Sequence, residues 1–412
     1  MRRYVVPGRV ELVGKHVDYG GGRSLTCAVE FAMRASARPL TERVIRVRQR
    51  GSRDAVSLPI GPSAEPTKSR WSTYVAAVAR RIGRDFPGAT GGVEVRLSSS
   101  LPPAAGLSSS TALTIALARA LVDATGLTSN RLFAEHAGSP IAFAEYVAAI
   151  ETGAAHGPFP GDAGVGVRGG AQDHVAIMCA REGMVGQFSY IPAREEGWAP
   201  WPADHALCIG VSGVRASKTG NAQVAYNRAA DAVRWLVCQW NGMTYRNDAT
   251  LAAAVASGPD AAERLGGIAR GASAAAGAPV SAEYLVRRLD QFREECETIV
   301  PGVADAFRAR DLDRLGALVD RSQSLAELAL ENQLPETIHL ARSARELGAV
   351  AASAFGAGFG GAVWAMVHAA GVDEFTAAWN RSFTAAFPAR ARRSSFLVTK
   401  PGAPAGSGAP RG

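Results

Sequence analysis

The stretch LPPAAGLSSSTAL, Leu101 to Leu113, decides how the rest of the chain is read. Two prolines end an extended run, a turn of small residues and serines follows, and a clean helical pattern begins. A turn of this kind leaves backbone N–H groups unpaired at a helix start, where they hold phosphate. Ser108, Ser109 and Ser110 add hydroxyls at the same place. A nucleotide or another phosphate ester is therefore the expected ligand.

Working outward, GGVEVRLSSSLP at 91–102 is the strand that delivers the chain into this loop, and 111–125 is the helix that leaves it. Upstream, residues 3–14 read as strand, turn, strand around a Pro-Gly interruption, and LTCAVEFAMRASARP continues as strands. VIRVRQR and DAVSLPI alternate at period two, as a hairpin does. Residues 68–86 and 130–153 carry helical spacing, and AQDHVAIMCA is a further helix. HALCIGVSG at 205–213 is a strand, preceded by the boundary-like WAPWPAD. Helices are expected at about 221–240, 250–275, 281–297, 301–312 and 313–329, and a strand at 362–368. The expected domains are 1–202 and 203–399, with 400–412 (KPGAPAGSGAPRG) a disordered tail because it lacks core-forming residues.

With 412 residues, the chain has room for two or three domains. Hydrophobic content of 47% and charged content of 20% are those of an ordinary enzyme. Its 45 basic and 37 acidic residues leave +8, a weak bias that suits anionic ligands. Neither a basic run nor interleaved aromatics point to nucleic acid. Five scattered cysteines without a CxxC argue against structural zinc and a disulfide framework, and fit a cytoplasmic setting. The opening MRRYVVPGRVEL is too short and mixed for a signal peptide, and no apolar run reaches membrane-spanning length.

Two more loops stand out, PGRVELVGKHVDYGGG and FGAGFGGAVW. Neither the P-loop pattern nor a Rossmann fingerprint occurs. Each loop alone is equally a tight turn; three with clustered polar residues read as a site. Arg9, Lys15, His16 and Asp18 lie within ten residues. They are either a charged surface turn or a site in which Asp18 and His16 bind polyol hydroxyls and Arg9 offsets charge in phosphoryl transfer. Asp173 opens an apolar helix, as a cap or as the carboxylate that orients or deprotonates a hydroxyl. Glu145, in AFAEYVAAIE, reads as partly buried and in need of a partner. That partner is an arginine, or Mg²⁺ shared with Ser110 and phosphates.

These loops resemble the three signatures of the GHMP small-molecule kinases, most nearly the galactokinase branch, whose first signature typically reads PGRVNLIGEHTDYNGG. The resemblance runs over about residues 5–395. It implies an α/β (α+β) fold of two domains, the N-terminal one like ribosomal protein S5 domain 2 and the C-terminal one ferredoxin-like, with the active site between them. It further implies ATP and Mg²⁺, with Ala104, Ala105, Gly106, Leu107, Ser108, Ser109 and Ser110 around the phosphates and Ser110 and Glu145 on the metal. Asp173 becomes the catalytic carboxylate and Arg9 its partner, while His16, Asp18, Tyr226 and Gly358 face the sugar. The implied activity is transfer of the ATP γ-phosphoryl to the anomeric hydroxyl of galactose or a similar sugar, by a cytoplasmic monomer or homodimer. A kinase of N-acetylgalactosamine, arabinose or a heptose, or a non-catalytic sugar sensor, are the alternatives.

Several positions depart from the pattern. Lys15 stands for a sugar-contacting glutamate, Glu11 for asparagine and His174 for glutamine. With only six residues before PGR, the N-terminal galactose signature is expected to be missing. An inward-pointing Lys15 implies an acidic acceptor such as galacturonate.

Overall fold

The computed structural model describes residues 1–52, 54–69, 71–102, 105–214 and 221–407, with the side chains of 221–226 and 407 outside the description. The first sheet contains β1 (Arg2–Val13), β2 (Arg23–Leu40), β3 (Val44–Gln49), β4 (Ala55–Pro59), β5 (Gly92–Ser99), β6 (Met184–Ser189) and β7 (Arg194–Pro200). The second contains β8 (His205–Val211), β9 (Ala351–Ala354), β10 (Ala362–His368) and β11 (Ser395–Thr399); β12 (Gly406–Ser407) returns to the first.

The first sheet runs β12-β1-β2-β5-β3-β4, with β6 and β7 joined to the start of β2. Only β3 and β5 are parallel; β3 and β4 form the expected hairpin. β1 is one strand, not two: Pro7-Gly8 is absorbed as a register shift against β2, as β-bulges do. β6 and β7 were not anticipated.

Helices α1 (Ser72–Asp85), α2 (Ser109–Ala124), α3 (Arg131–Ala137), α4 (Pro140–Thr152) and α5 (Gln172–Met178) belong to this part of the chain. The helix α2 is buried nearly all round from Thr111 to Val122. Its Ala/Leu composition fits that position, between the β1–β2–β5 face and helices α1, α4 and α5. This packing fixes where its N-terminus points.

The rest of the chain adds α6 (Asn221–Thr244), α7 (Leu251–Val255), α8 (Ala261–Arg270), α9 (Ala282–Glu294), α10 (Val300–Ala309), α11 (Leu312–Leu328), α12 (Pro335–Glu346) and α13 (Val372–Ala386). Between α9 and α10 the helical path continues through a π turn at Glu295–Ile299. The second sheet is antiparallel, in the order β11-β8-β10-β9. Period-two alternation divides β8 between two cores. Leu207, Ile209 and Val211 join the main core shared with the first sheet, while Ala206 and Cys208 pack with α12 and α13. Trp364 on β10 donates its indole N–H to the Leu12 carbonyl, 3.2 Å, tying the two sheets together.

The expected disordered tail is corrected through residue 407. Gly402 N–H donates to Ala28 O and Ala405 N–H to Ile177 O, each 2.9 Å. Gly406 and Ser407 pair with Val5 and Tyr4 along the free edge of β1. Composition misled because backbone hydrogen bonds to a sheet edge need no apolar side chains. Residues 408–412 lie outside the described residues. No described helix is long and apolar enough to cross a membrane.

Candidate active site

A cavity opens where β1, its following loop, α5 and the β9–β10 loop converge. Arg9, Glu11, His16, Asp18 and Tyr19 line it from the N-terminal segment, Gln172 and Asp173 from α5, and Gly356 and Ala357 from the third glycine loop. Strand alternation places Arg9 and Glu11 on one face of β1.

Two side chains hold Asp173. Arg9 Nε and Nη2 each lie 2.7 Å from its Oδ1, and the Ser108 hydroxyl donates to Oδ2 at 2.6 Å. A third guanidinium nitrogen, Arg9 Nη1, donates to Gly106 O at 2.6 Å. Ser108 takes the left-handed conformation at the N-cap of α2, and its side chain serves Asp173 instead of the helix. The N–H groups of the first turn, from Ser109 onward, have no intrahelical acceptor by helix geometry. They open beside Asp173, and the helix dipole favours an anion there.

Across the cavity, Gln172 N–H donates to Asp18 Oδ2 at 3.3 Å. Gly170 makes that approach possible: a Cβ there would sit 2.5 Å from the same oxygen. His16, at φ +59°, places Nδ1 3.1 Å from the Tyr19 hydroxyl and Nε2 3.2 Å from Ala357 O. Gly358 does not line the cavity. It lies against Asn332, where a Cβ would meet the carbonyl oxygen at 2.5 Å, and Gly356 and Ala357 form the wall instead. Ala105 and Leu107 are buried, Ser109 is exposed and Ser110 half-buried. Ala104 and the side chain of Tyr226 lie outside the described residues.

The structure does not bring Glu145 to Ser110. Glu145 Oε1 accepts from Ala193 N–H at 2.7 Å and faces a different, larger cavity. The carboxylate at the start of α2 is Glu151, from the last turn of α4, which is 6% exposed. Thr114 Oγ1 donates to Glu151 Oε1 at 2.6 Å and is 3.0 Å from Ser110 O. Tyr74, hydrogen-bonded to the Ser110 side chain, has its phenol pushed up to about 12 by burial and by the Glu151 charge. His174 Nε2 is 3.7 Å from Glu151. Glu151 with the hydroxyls of Ser110, Thr114 and Tyr74 is a hard-oxygen set, the chemistry that Mg²⁺ prefers.

Lys15 is also corrected. It is inward, 1% exposed, but outside the cavity: Nζ donates to Ser322 Oγ and Ser353 Oγ, both at 2.8 Å. Ser322 in turn donates to Glu295 Oε1, and Gly14 N–H to Glu295 Oε2. Burial lowers the Lys15 ammonium from its ordinary range and raises the Glu295 carboxyl; each charge offsets the other's shift. The charge reversal thus belongs to a buried link between the β1 loop, α11 and β9, so an acidic acceptor loses its support. Lys15→Met strands the Glu295 charge and is expected to cost about 3–5 kcal/mol in urea unfolding. Adding Glu295→Gln is expected to restore most of that loss; a double variant no more stable than the single one would contradict the link.

Three family models match in the order of the loops: the galactokinase galactose-binding signature over residues 3–39, the GHMP kinases N terminal domain over 73–181, and the GHMP kinases C terminal model over 303–385. The chain belongs to the GHMP kinase superfamily. Because the galactose-binding signature covers β1 and most of β2, the expectation that it is missing is wrong. The galactokinase of Chloroflexus aggregans is 29% identical over 382 residues, covering 90% of this chain and 85% of that protein. That of Streptomyces coelicolor is 28% identical over 397 residues, 93% and 89%. The fold matches Lactococcus lactis galactokinase complexed with galactose (TM-score 0.77, 20% identity, 98% and 94% covered) and Methanococcus jannaschii mevalonate kinase (0.58, 13%, 97% and 97%). This is the two-domain α/β fold of the GHMP kinases, and the chain is an ATP-dependent sugar kinase of the galactokinase-like branch.

Three positions escaped the sequence reading. Glu151 sits at a helix end that looks solvent-facing, Gln172 links Asp18 to Glu11, and Ser108 bonds Asp173 instead of only wrapping phosphate. For Gln172, adjacency to Asp173 was the available signal.

Proposed function

We propose that this GHMP kinase transfers the γ-phosphoryl of ATP to the anomeric hydroxyl of galactose or a galactose-like sugar. The observation that carries the reading is Asp173, clamped by Arg9 and Ser108 at the open N-terminus of α2 and facing a cavity with Asp18 and His16. The N–H groups of the α2 first turn take the nucleotide phosphates. Asp18 and His16 orient the sugar by its hydroxyls, which places one hydroxyl at Asp173. Asp173 fixes that hydroxyl toward the phosphate and receives its proton, while Arg9 offsets negative charge spreading from the phosphoryl group. Mg²⁺, held by Ser110 and Glu151, would neutralise charge on the phosphate oxygens.

ADP release from Mg-ATP across neutral sugars, acetamido sugars and uronic acids tests the reading. Turnover of a neutral galactose-type sugar, giving an acid-labile, non-reducing sugar 1-phosphate, is expected. Transfer to a non-anomeric hydroxyl, or no ADP above the sugar-free background, would overturn it.

A further inference from the structure

His174, the residue after Asp173, is 2% exposed in the first turn of α5. Neither of its ring nitrogens has a hydrogen-bond partner among the described residues. A buried imidazole left so is costly, because a neutral ring has one nitrogen that donates and one that accepts. Its Nε2 lies 3.7 Å from Glu151 Oε1. That separation is too long for a hydrogen bond. It is the spacing of two ligands on one metal ion: bonds of about 2.1 Å meeting at about 90–120° hold the ligand atoms about 3 to 4 Å apart.

Glu151 Oε1 is also the oxygen that accepts from Thr114 Oγ1, beside Ser110. His174 therefore meets the oxygen set of the α2 start at its carboxylate. Asp173 and His174 are about 100° apart round the helix. One faces the acceptor cavity and the other faces Glu151, so α5 supplies a side chain to each. An ion pair is the other arrangement open to His174 and Glu151. Buried, and with no hydrogen bond between the charges, such a pair recovers little of its desolvation cost. A metal on Nε2 recovers the cost of that nitrogen and leaves the ring proton on Nδ1.

In the galactokinase pattern a glutamine stands at this position, and here it is an imidazole. Imidazole nitrogen is a softer ligand than any oxygen. Mg²⁺ prefers oxygen and gains little from it, whereas Mn²⁺, Fe²⁺ and Co²⁺ take oxygen and imidazole together. Few protein ligands are needed where phosphate oxygens complete the shell.

We propose that His174 Nε2 is a ligand of the divalent metal, beside Glu151, and that this nitrogen turns the site from Mg²⁺ toward a first-row transition-metal ion such as Mn²⁺. The proposal rests on the reading of Glu151 as the metal carboxylate given above.

The test is pulsed EPR of Mn²⁺ bound to the full chain in a nitrogen-free buffer. Inorganic tripolyphosphate replaces the nucleotide, so that only the protein can contribute nitrogen. The native chain is expected to show the echo modulation of a directly bonded nitrogen, and His174→Gln, which restores the glutamine of the pattern, to lose it. Titration of Mn²⁺ with Mg²⁺ as competitor is expected to show His174→Gln weakening Mn²⁺ about tenfold and Mg²⁺ by less than about threefold. Mn²⁺ whose binding depends on Glu151 but carries no nitrogen modulation would overturn the proposal and leave the Glu151 reading intact. So would a modulation that survives His174→Gln. Equal weakening of both ions in that variant, at an unchanged melting temperature, would also overturn it and make His174 a support for the Glu151 carboxylate. A His174-dependent modulation that persists in Glu151→Gln would sink the carboxylate reading and leave the nitrogen ligand standing. No binding of Mn²⁺ at all would sink both.

Discussion

Asp173→Asn is expected to lower kcat by about 10²- to 10⁴-fold, the range for a lost general base, while the KM for ATP moves by no more than a few-fold. The reason lies in how the carboxylate is held. An asparagine oxygen can still accept from Arg9, and the Ser108 hydroxyl can rotate to accept from the new amide, so the side chain keeps its place. Lost are the negative charge and the ability to take a proton from the acceptor hydroxyl. On the proposed reading the phosphate groups depend on the N-terminus of α2, which packing of that helix against β1, β2 and β5 positions independently of Asp173. Steady-state ADP release with sugar and ATP varied separately, on protein whose melting temperature matches the native one, checks this. A kcat within threefold of native would remove Asp173 from the reacting centre; a large rise in the ATP KM with kcat unchanged would make it a nucleotide-binding residue instead.

What the sequence made legible was local. Alternation exposed the β3–β4 hairpin, and LPPAAGLSSSTAL placed the start of α2 within two residues of Ser109. Long-range partners were another matter. Nothing in the spacing links Arg9 to Asp173, 164 residues apart; that pairing came from resemblance to a family. Lys15 was read against an imagined ligand because its partners, Ser322, Ser353 and Glu295, lie some 280 to 340 residues along, one of them in a π turn that no local pattern announces. β6 and β7 were invisible because Gly186, Gln187 and the pair Glu195–Glu196 interrupt any two-residue alternation. Their pairing with β2 and with each other is a property of the sheet, not of either segment.

The two glutamates of α4 show the same limit at the proposed metal site and give the sharpest test of it. Glu145 and Glu151 are six residues apart, so on an α-helix they point to different faces and their Cα atoms lie about 9 Å apart along the axis. The apolar neighbours of Glu145 report that the helix is buried, and say nothing about which face meets Ser110. Glu151→Gln keeps an oxygen for the Thr114 hydroxyl and removes only charge. It is expected to cut kcat by about 10²-fold and to raise the Mg²⁺ concentration for half-maximal rate, since an oxygen ligand without charge holds a hard cation poorly. Glu145→Gln, whose oxygen can still accept from Ala193 N–H, is expected to stay within threefold of native at every Mg²⁺ concentration. Because both variants are isosteric and sit on one helix, a general loss of helix packing would lower both alike. Only a metal role lowers one and shifts its Mg²⁺ dependence, and the reverse pattern would return the metal to Glu145 and require α4 to turn its other face toward Ser110.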